Sequence, residues 1–143
     1  MHALNERIEQ AQRLIHDILS RGEPSCITSS FQTECIALVH MIIRQKPDIP
    51  VLFLTTGYHF PETYAFRDEM TARFGLNLVN LLSEMTVPEQ ESRFGFLYQS
   101  ATDRCCGLRK VEPRVAGTEP YSVWFAGLRR DQSPARAGLK ASR

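Results

Sequence analysis

The chain has 143 residues, a length that fits one globular domain with a core of its own. Its 43% hydrophobic and 23% charged residues exclude a disordered or fibrous chain. No apolar run is long enough to cross a membrane and the polar N-terminus does not resemble a signal peptide, so we expect a cytoplasmic protein.

The net charge of +1 is unevenly distributed along the chain. Residues 1–100 carry 8 basic and 12 acidic side chains, whereas residues 101–143 carry 9 basic and 4 acidic ones. A basic C-terminal third suits an anionic ligand, although a solvated basic surface would have the same composition. We expect neither nucleic acid nor a membrane as a partner.

Hydrophobic periodicity and the positions of Gly and Pro predict alternating helices and strands. In chain order they are a helix that ends near Gly22, a strand at 25–29, a helix at 34–45, a strand at 51–54, a helix at 61–74, a strand at 76–81, a helix opened by Pro88 and a strand at 123–126.

This alternation predicts an α/β fold, an open parallel sheet flanked by helices. We expect one domain over residues 1–143, with a loose tail at 133–143. Ligands of such sheets bind beyond the carboxyl ends of the strands. Three polar or basic loops follow strands in this way, at residues 29–34, 55–60 and 127–137.

The first loop leads from a strand into the N-terminus of a helix, where backbone N–H groups and the helix dipole can hold an anion. It lacks the G-x-x-x-x-G-K-[ST] pattern of a triphosphate-binding loop. An ordinary strand–helix turn explains the same residues. The candidate substrate-binding residues here are Ser29, Ser30, Phe31 and Gln32.

The second loop follows a buried strand, offers donors at Thr56 and His59, and contains Gly57, which allows close approach of a ligand. The third loop follows an apolar strand and is rich in arginine, which suits a sulfate or phosphate clamp. Both loops also fit solvated connections. The arginines of the third loop are Arg129, Arg130 and Arg136.

Two of the four cysteines lie in apolar surroundings and are expected to be buried small side chains. The other two, Cys105 and Cys106, are adjacent. Thiolate pairs bind soft metals and iron–sulfur clusters, and the neighbouring Arg109 and Lys110 would favour the thiolate form. Two cysteines cannot complete a four-thiolate site, and a chance pair of free thiols is an alternative.

Three segments occur together and in order: LTTGYHFPET at 54–63, CCGLRKVEP at 105–113 and GLRR at 127–130. Their combination resembles the adenylyl-sulfate and phosphoadenylyl-sulfate reductase family, the assimilatory sulfonucleotide reductases. The resemblance implies an adenine-nucleotide α-hydrolase-like fold. It also implies thioredoxin-dependent reduction of adenylyl sulfate to sulfite and AMP in sulfate assimilation.

The resemblance also assigns roles to residues. The three loops correspond to the family's substrate site, with the residues named above. The adjacent cysteines, Cys105 and Cys106, resemble the subgroup that carries a [4Fe-4S] cluster and favours adenylyl sulfate. Lys110 matches a lysine near cluster and substrate in that subgroup, and is the candidate catalytic residue. In such enzymes a cysteine thiolate attacks the sulfate sulfur and displaces AMP, and thioredoxin then releases sulfite.

This sequence departs from the family pattern in three respects. Thr55 stands where an acidic residue is usual, and Arg114 stands where an apolar residue is usual. No cysteine follows Cys106, so the family's second cysteine pair and its nucleophilic cysteine find no match. We therefore expect an incomplete cluster site, and no sulfite formation by these 143 residues alone.

Several alternatives stay open at this point. The substrate could carry a 3′-phosphate, or the chain could be a non-catalytic adenine-nucleotide-binding module. A homo-oligomer in which two chains share one cluster is a further alternative. A sulfurylase-type ATP pyrophosphatase is disfavoured, because the first loop matches a Ser-Gly-Gly-x-Asp-Ser pattern poorly.

Overall fold

A computed structural model describes residues 2–127, without the side chains of residues 33 and 34. In chain order, its elements are α1 (His2–Leu19), β1 (Ser25–Thr28), α2 (Thr33–Ile43), β2 (Pro50–Thr55), α3 (Pro61–Phe74), β3 (Asn77–Leu82), α4 (Val87–Phe94), α5 (Leu97–Ser100), α6 (Thr102–Cys106), a π-helical turn (Gly107–Val111), α7 (Glu112–Thr118) and β4 (Val123–Ala126).

The strands form one parallel sheet in the order β3-β2-β1-β4. Thr28, at the end of β1, lies opposite Leu52 of β2 and Ala126 of β4. The predicted α/β fold with an open parallel sheet and flanking helices is confirmed. Because all the strands run the same way, the segments that follow β1, β2 and β4 leave the sheet at the same edge.

The core lies between the two central strands and the helices that cover them. Strands β1 and β2 are largely buried, and β2 carries the apolar run Val51–Leu54 that is expected for a strand covered on both faces. Helix α2 contributes its apolar side, and α1 and α3 contribute single buried residues. The buried hydrophobic cluster contains Ile15, Ile27, Phe31, Val39, Ile42, Ile49, Val51, Phe53, Met70 and Leu76.

Local capping signals fix several element boundaries. Gly75 ends α3 in the left-handed conformation, with φ of 61°, as its position in the sequence predicted. Helix α4 begins one residue before Pro88, because Thr86 caps it: the Thr86 hydroxyl accepts from the Glu89 N–H at 3.2 Å, and the Glu89 carboxylate accepts from the Thr86 N–H at 3.4 Å.

The segment between α4 and β4 contains structure that the sequence pattern did not predict. Three short helices and the π-helical turn fill residues 97–118, and α6, the π-helical turn and α7 run on without a break. These helices have four to seven residues each, too few to establish a hydrophobic period. Within residues 2–127, no helix combines the length and apolarity needed to span a bilayer.

Candidate functional site

Two of the three predicted loops, and the start of the third, lie at the carboxyl edge of the sheet. The Ser29 N–H donates to the Leu52 carbonyl at 3.0 Å, which ties the first loop to the strand that leads into the second. The Cys35 thiol lies 3.9 Å from the Gly127 carbonyl, which brings the end of β4 beside α2. Arg129, Arg130, Arg136 and the tail at 133–143 lie outside the described residues.

The first loop turns two of its four candidate side chains inward. Ser29 is buried, and its hydroxyl accepts from the Phe31 N–H at 3.1 Å. Phe31 has a φ of 61°, which is unusual for a residue with a side chain, and its buried ring packs edge-on against Phe53 at 5.7 Å. A ligand would therefore meet these two residues through their backbone.

The other two candidates of this loop, Ser30 and Gln32, are exposed. Gln32 occupies the N-cap of α2 and makes no side-chain capping hydrogen bond. Its side chain thus leaves the first N–H groups of α2 uncapped, as an anion-binding helix terminus requires. The Ser30 hydroxyl lies 3.6 Å from the thiol of Cys35, which is buried in the first turn of the same helix.

The second loop is closed by hydrogen bonds from its own residues and from α3. Thr56 is buried, and its hydroxyl accepts from the Tyr58 N–H at 3.2 Å. The Gly57 N–H donates to the Tyr64 hydroxyl at 3.3 Å. The half-buried His59 ring pairs its Nε2 with the Leu54 carbonyl at 2.9 Å. The loop therefore has a defined shape before any ligand arrives.

Gly57 is the tightest point of this loop. Its φ of 82° lies in the left-handed region, and a Cβ there would come within 2.4 Å of Val87 Cγ2 and 3.3 Å of Arg109 Nη2. Only glycine fits this position without backbone strain or a shift of the Val87 side chain. The close contact seen at Gly57 is with the protein itself, and the close approach of a ligand there stays a prediction.

The adjacent cysteines lie in the last turn of α6. Cys105 is buried, whereas Cys106 is only partly so. Consecutive helical residues do not face each other, so the two thiols point to different sides of the helix. The buried Gln90 amide lies against one of them, with Nε2 3.8 Å from Cys105 Sγ, and its Oε1 has no hydrogen-bond partner among residues 2–127.

Arg109 and Lys110 occupy different environments, and their effect on the two thiols stays a prediction. Lys110 is exposed. Arg109 is only 5% exposed, and its guanidinium donates to the Thr56 carbonyl at 2.7 Å and to the Met85 carbonyl. The hydrogen bonds of Arg109 thus go to the segments that follow β2 and β3, at the carboxyl edge of the sheet. The candidate catalytic role of Lys110 stays a prediction.

Tyr58 connects this loop to α4. Its hydroxyl donates to Glu91 Oε1 at 3.1 Å. Partial desolvation raises the pKa of Tyr58, and the hydrogen bond and charge of Glu91 raise it further, whereas the Arg109 charge lowers it. The phenol therefore stays neutral and keeps its hydrogen bond at physiological pH.

The described residues hold half of a four-thiolate donor set at most. Among residues 2–127, no three His, Cys, Asp or Glu side chains come together as metal ligands. Cys105 and Cys106 alone therefore do not fit a [4Fe-4S] cluster, which takes four thiolates.

Sequence reasoning missed three side chains around this edge, Tyr64, Gln90 and Glu91, and it gave Arg109 a role only beside the cysteines. Gln90, Glu91 and Arg109 contact residues that are distant in sequence; Arg109, for example, bonds to a carbonyl 53 positions away. Tyr64 accepts from Gly57, 7 positions away. A buried polar residue inside a short helix leaves no periodic signal. Only the capping box at Thr86, which fixes where α4 begins, could have pointed to the position of Gln90.

Comparison with known proteins gives one consistent family. Residues 24–143 match the family model described as Phosphoadenosine phosphosulfate reductase domain. The Adenosine 5'-phosphosulfate reductase of Streptomyces coelicolor is 43% identical over 117 residues, covering 81% of this chain and 49% of the relative. The Phosphoadenosine 5'-phosphosulfate reductase of Erwinia tasmaniensis is 39% identical over 139 residues, covering 94% and 57%.

This chain thus spans about half the length of the curated relatives it matches. Among solved structures, a phosphoadenylyl-sulfate (PAPS) reductase from Candida auris, crystallised as a phosphate complex, gives a TM-score of 0.71. That likeness covers 85% of this chain and 62% of the other, at 22% identity. It supports the fold alone.

Proposed function

The chain belongs to the phosphoadenosine phosphosulfate reductase domain family, and on this premise we propose that it is the nucleotide-binding part of an enzyme that reduces adenylyl sulfate to sulfite and AMP. The observation that carries the proposal is the carboxyl edge of the sheet. Two shaped loops meet there, beside an N-terminus of α2 that Gln32 does not cap.

Each loop would have its own part in holding the nucleotide. The N-terminus of α2 and the exposed Ser30 suit an anionic group. The turn at Gly57 presents backbone to the ligand at close range. Arg129, Arg130 and Arg136 remain the proposed clamp for the sulfate, on the grounds of the sequence alone.

In the proposed reaction a cysteine thiolate attacks the sulfate sulfur, the bond from sulfur to the AMP oxygen breaks, and AMP leaves with the electron pair. The thiosulfonate is then reduced by the dithiol of thioredoxin, which becomes a disulfide as sulfite leaves. Residues 2–127 would bind and orient the nucleotide for this attack. Their four cysteines provide no thiol that we assign as the nucleophile.

For the iron–sulfur cluster, the proposal covers only the two thiol ligands that the described residues supply. Cys105 and Cys106 would supply two thiolates, and residues 2–127 provide no further donor beside them. Iron analysis after anaerobic reconstitution of the 143-residue chain tests this, with no stable [4Fe-4S] cluster expected. A full complement of about four irons per monomer would contradict it.

The choice of adenylyl sulfate over its 3′-phosphorylated form rests on the adjacent cysteines, through the resemblance described above. Relatives with either name reach similar identity, 43% and 39%, so overall similarity does not decide between the two substrates. Reduction of the 3′-phosphorylated nucleotide is therefore the second candidate function.

Isothermal titration of the 143-residue chain with adenylyl sulfate, its 3′-phosphorylated form, AMP and the control guanosine monophosphate tests the proposal. We expect saturable binding of adenylyl sulfate, weaker binding of AMP, which lacks the sulfate, and no binding of guanosine monophosphate. Tighter binding of the 3′-phosphorylated form would favour the second candidate. Absence of binding by all adenine nucleotides at low salt would refute the nucleotide site itself.

A further inference from the structure

We propose that Arg109 is a positioning residue that holds the loop after β2 in its nucleotide-binding shape. It acts from the helical segment that carries the adjacent cysteines, and it does not need to touch the ligand. This inference rests on the proposed function, because the loop it fixes is part of the proposed nucleotide site.

The contacts of Arg109 converge on this loop. Nε donates to the Thr56 carbonyl at 2.7 Å, and Nη1 donates to the Met85 carbonyl in the segment between β3 and α4. Nη2 lies 3.3 Å from the position that a Cβ on Gly57 would occupy. One planar group therefore contacts both the loop after β2 and the segment between β3 and α4. It lies directly against Gly57, the tightest point of the loop after β2.

The burial of this group argues for a specific role. Arg109 as a whole residue is only 5% exposed, so its charged group has lost much of its hydration, which costs free energy unless its donors are satisfied. Within residues 2–127, Arg109 donates its hydrogen bonds to backbone carbonyls and forms no ion pair with a carboxylate. The ion pair in this part of the chain joins Arg67 and Asp68. Simple packing would be better served by an apolar side chain of this size.

The backbone around Arg109 is also unusual. It belongs to the π-helical turn Gly107–Val111, between α6 and α7. Such turns are rare, and they occur often at functional sites because the extra residue redirects neighbouring side chains. Here the turn packs against β2, and the side chain of Arg109 reaches across to the end of that strand.

Fixing the loop in advance has a consequence for binding. A loop that is already ordered pays less conformational entropy when the ligand arrives, and the affinity rises accordingly. A lysine would keep the charge but could not offer two donors in a fixed plane. Arg109→Lys therefore separates positioning from simple electrostatic attraction of an anionic ligand.

The experiment compares the 143-residue chain with Arg109→Lys, Arg109→Met and the control Arg104→Met. Arg104 is exposed on the preceding helix, where its guanidinium stacks on the ring of Phe94 at 4.2 Å. Hydrogen exchange measures the protection of the Gly57 amide, which donates to Tyr64 of α3, and of the Tyr58 amide, which donates to Thr56 within the loop. Titration calorimetry measures the affinity for adenylyl sulfate.

Both Arg109 variants are expected to speed exchange at Gly57 and Tyr58 roughly tenfold, the factor for one lost hydrogen bond to a charged group. Exchange in β1 should not change, and affinity should fall by a similar factor in Lys and Met variants alike. Methylguanidinium should restore part of the affinity of Arg109→Met. The Arg104→Met control should match the unmodified chain in every readout.

Several outcomes would overturn the inference. If Arg109→Lys keeps the exchange rates and the affinity of the unmodified chain, the positive charge at this position is sufficient and the guanidinium geometry has no positioning role. Failure of both Arg109 variants to fold would make Arg109 a general stability residue. If the unmodified chain binds no adenine nucleotide, the proposed function fails; unchanged loop exchange in the variants refutes the positioning role separately.

Discussion

The two loops at the carboxyl edge are shaped by different forces. The loop after β1 is held by an apolar anchor, because Phe31 turns its ring into the core and accepts a left-handed backbone to do so. The loop after β2 is held by polar contacts from Tyr64, Thr56 and Arg109. Within this loop, Phe60 is 77% exposed, whereas the His59 ring lies against Phe53 with its centroid at 5.2 Å.

This contrast indicates how each loop should respond to change. An apolar anchor is part of the core, so loss of it should affect the stability of the whole fold. Polar contacts to a loop are worth less to global stability, and their loss should mainly affect local order and ligand binding. Four predictions test this, from the largest expected effect to the smallest.

Phe31→Ala should lower the free energy of unfolding by about 3–5 kcal/mol, because it removes a buried ring that packs against Phe53. The matched control in the other loop is Phe60→Ala, which should change it by less than about 0.5 kcal/mol. Urea unfolding followed by circular dichroism measures both. Equal effects would show that Phe31 is not an anchor.

A second variant at the same position separates the ring from the backbone. Phe31→Gly loses the same ring but adopts a φ of 61° without strain. It should therefore be more stable than Phe31→Ala by about 1 kcal/mol. If the alanine variant proves as stable as the glycine variant, the left-handed backbone at this position carries no strain.

The strand that leads into the first loop should make the fold sensitive to alkali. Burial raises the pKa of the Cys26 thiol from its ordinary value of 9.0 to about 11. Between these values the unfolded chain loses the proton while the folded chain keeps it, so stability falls as pH rises. The loss should approach about 2–3 kcal/mol by pH 11 and be absent below pH 8.

Cys26→Ala is the control for this effect. It removes the ionisable group, so the contribution of this position to the loss of stability between pH 9 and pH 11 should disappear. Urea midpoints measured across that range in both proteins give the comparison. Parallel pH profiles for the two proteins would mean that the thiol does not contribute.

Gly57→Ala should cost about 1–3 kcal/mol of stability and weaken nucleotide binding, because the new Cβ meets Val87 at 2.4 Å and the backbone is left-handed. Gly75→Ala is the matched control. Gly75 has a φ of 61° but nothing within 4 Å of the new Cβ, so that variant should carry backbone strain alone and leave binding unchanged. Thermal melting and calorimetry distinguish the two.

The smallest effect is expected for Tyr64→Phe, which removes the acceptor for the Gly57 N–H. We expect a loss of about 0.5–1.5 kcal/mol at most, and faster hydrogen exchange at the Gly57 amide. Tyr98→Phe is the control, since the Tyr98 hydroxyl makes no hydrogen bond within residues 2–127. An unchanged Gly57 exchange rate in Tyr64→Phe would show that this contact does not hold the loop.

Local signals in the sequence were sufficient for the architecture. Apolar runs and their boundaries predicted each described strand to within about two residues, because strand and helix periods depend on neighbours along the chain. Gly75 and Pro61 were read correctly as a helix end and a helix start, since their backbone preferences are intrinsic. The motif combination likewise identified the family that the comparisons support.

The tertiary structure alone decided how the site is built. The sequence treated Ser29 to Gln32 as one polar turn, but the fold buries Phe31 and exposes Ser30, because the Phe31 ring packs against Phe53, a residue that lies far away in the sequence. The sequence also placed Arg109 and Lys110 together, beside the cysteines. In the fold their environments differ, because Lys110 is exposed and Arg109 is buried. A buried guanidinium must find hydrogen-bond acceptors, and those of Arg109 lie on loops that are far away in the sequence.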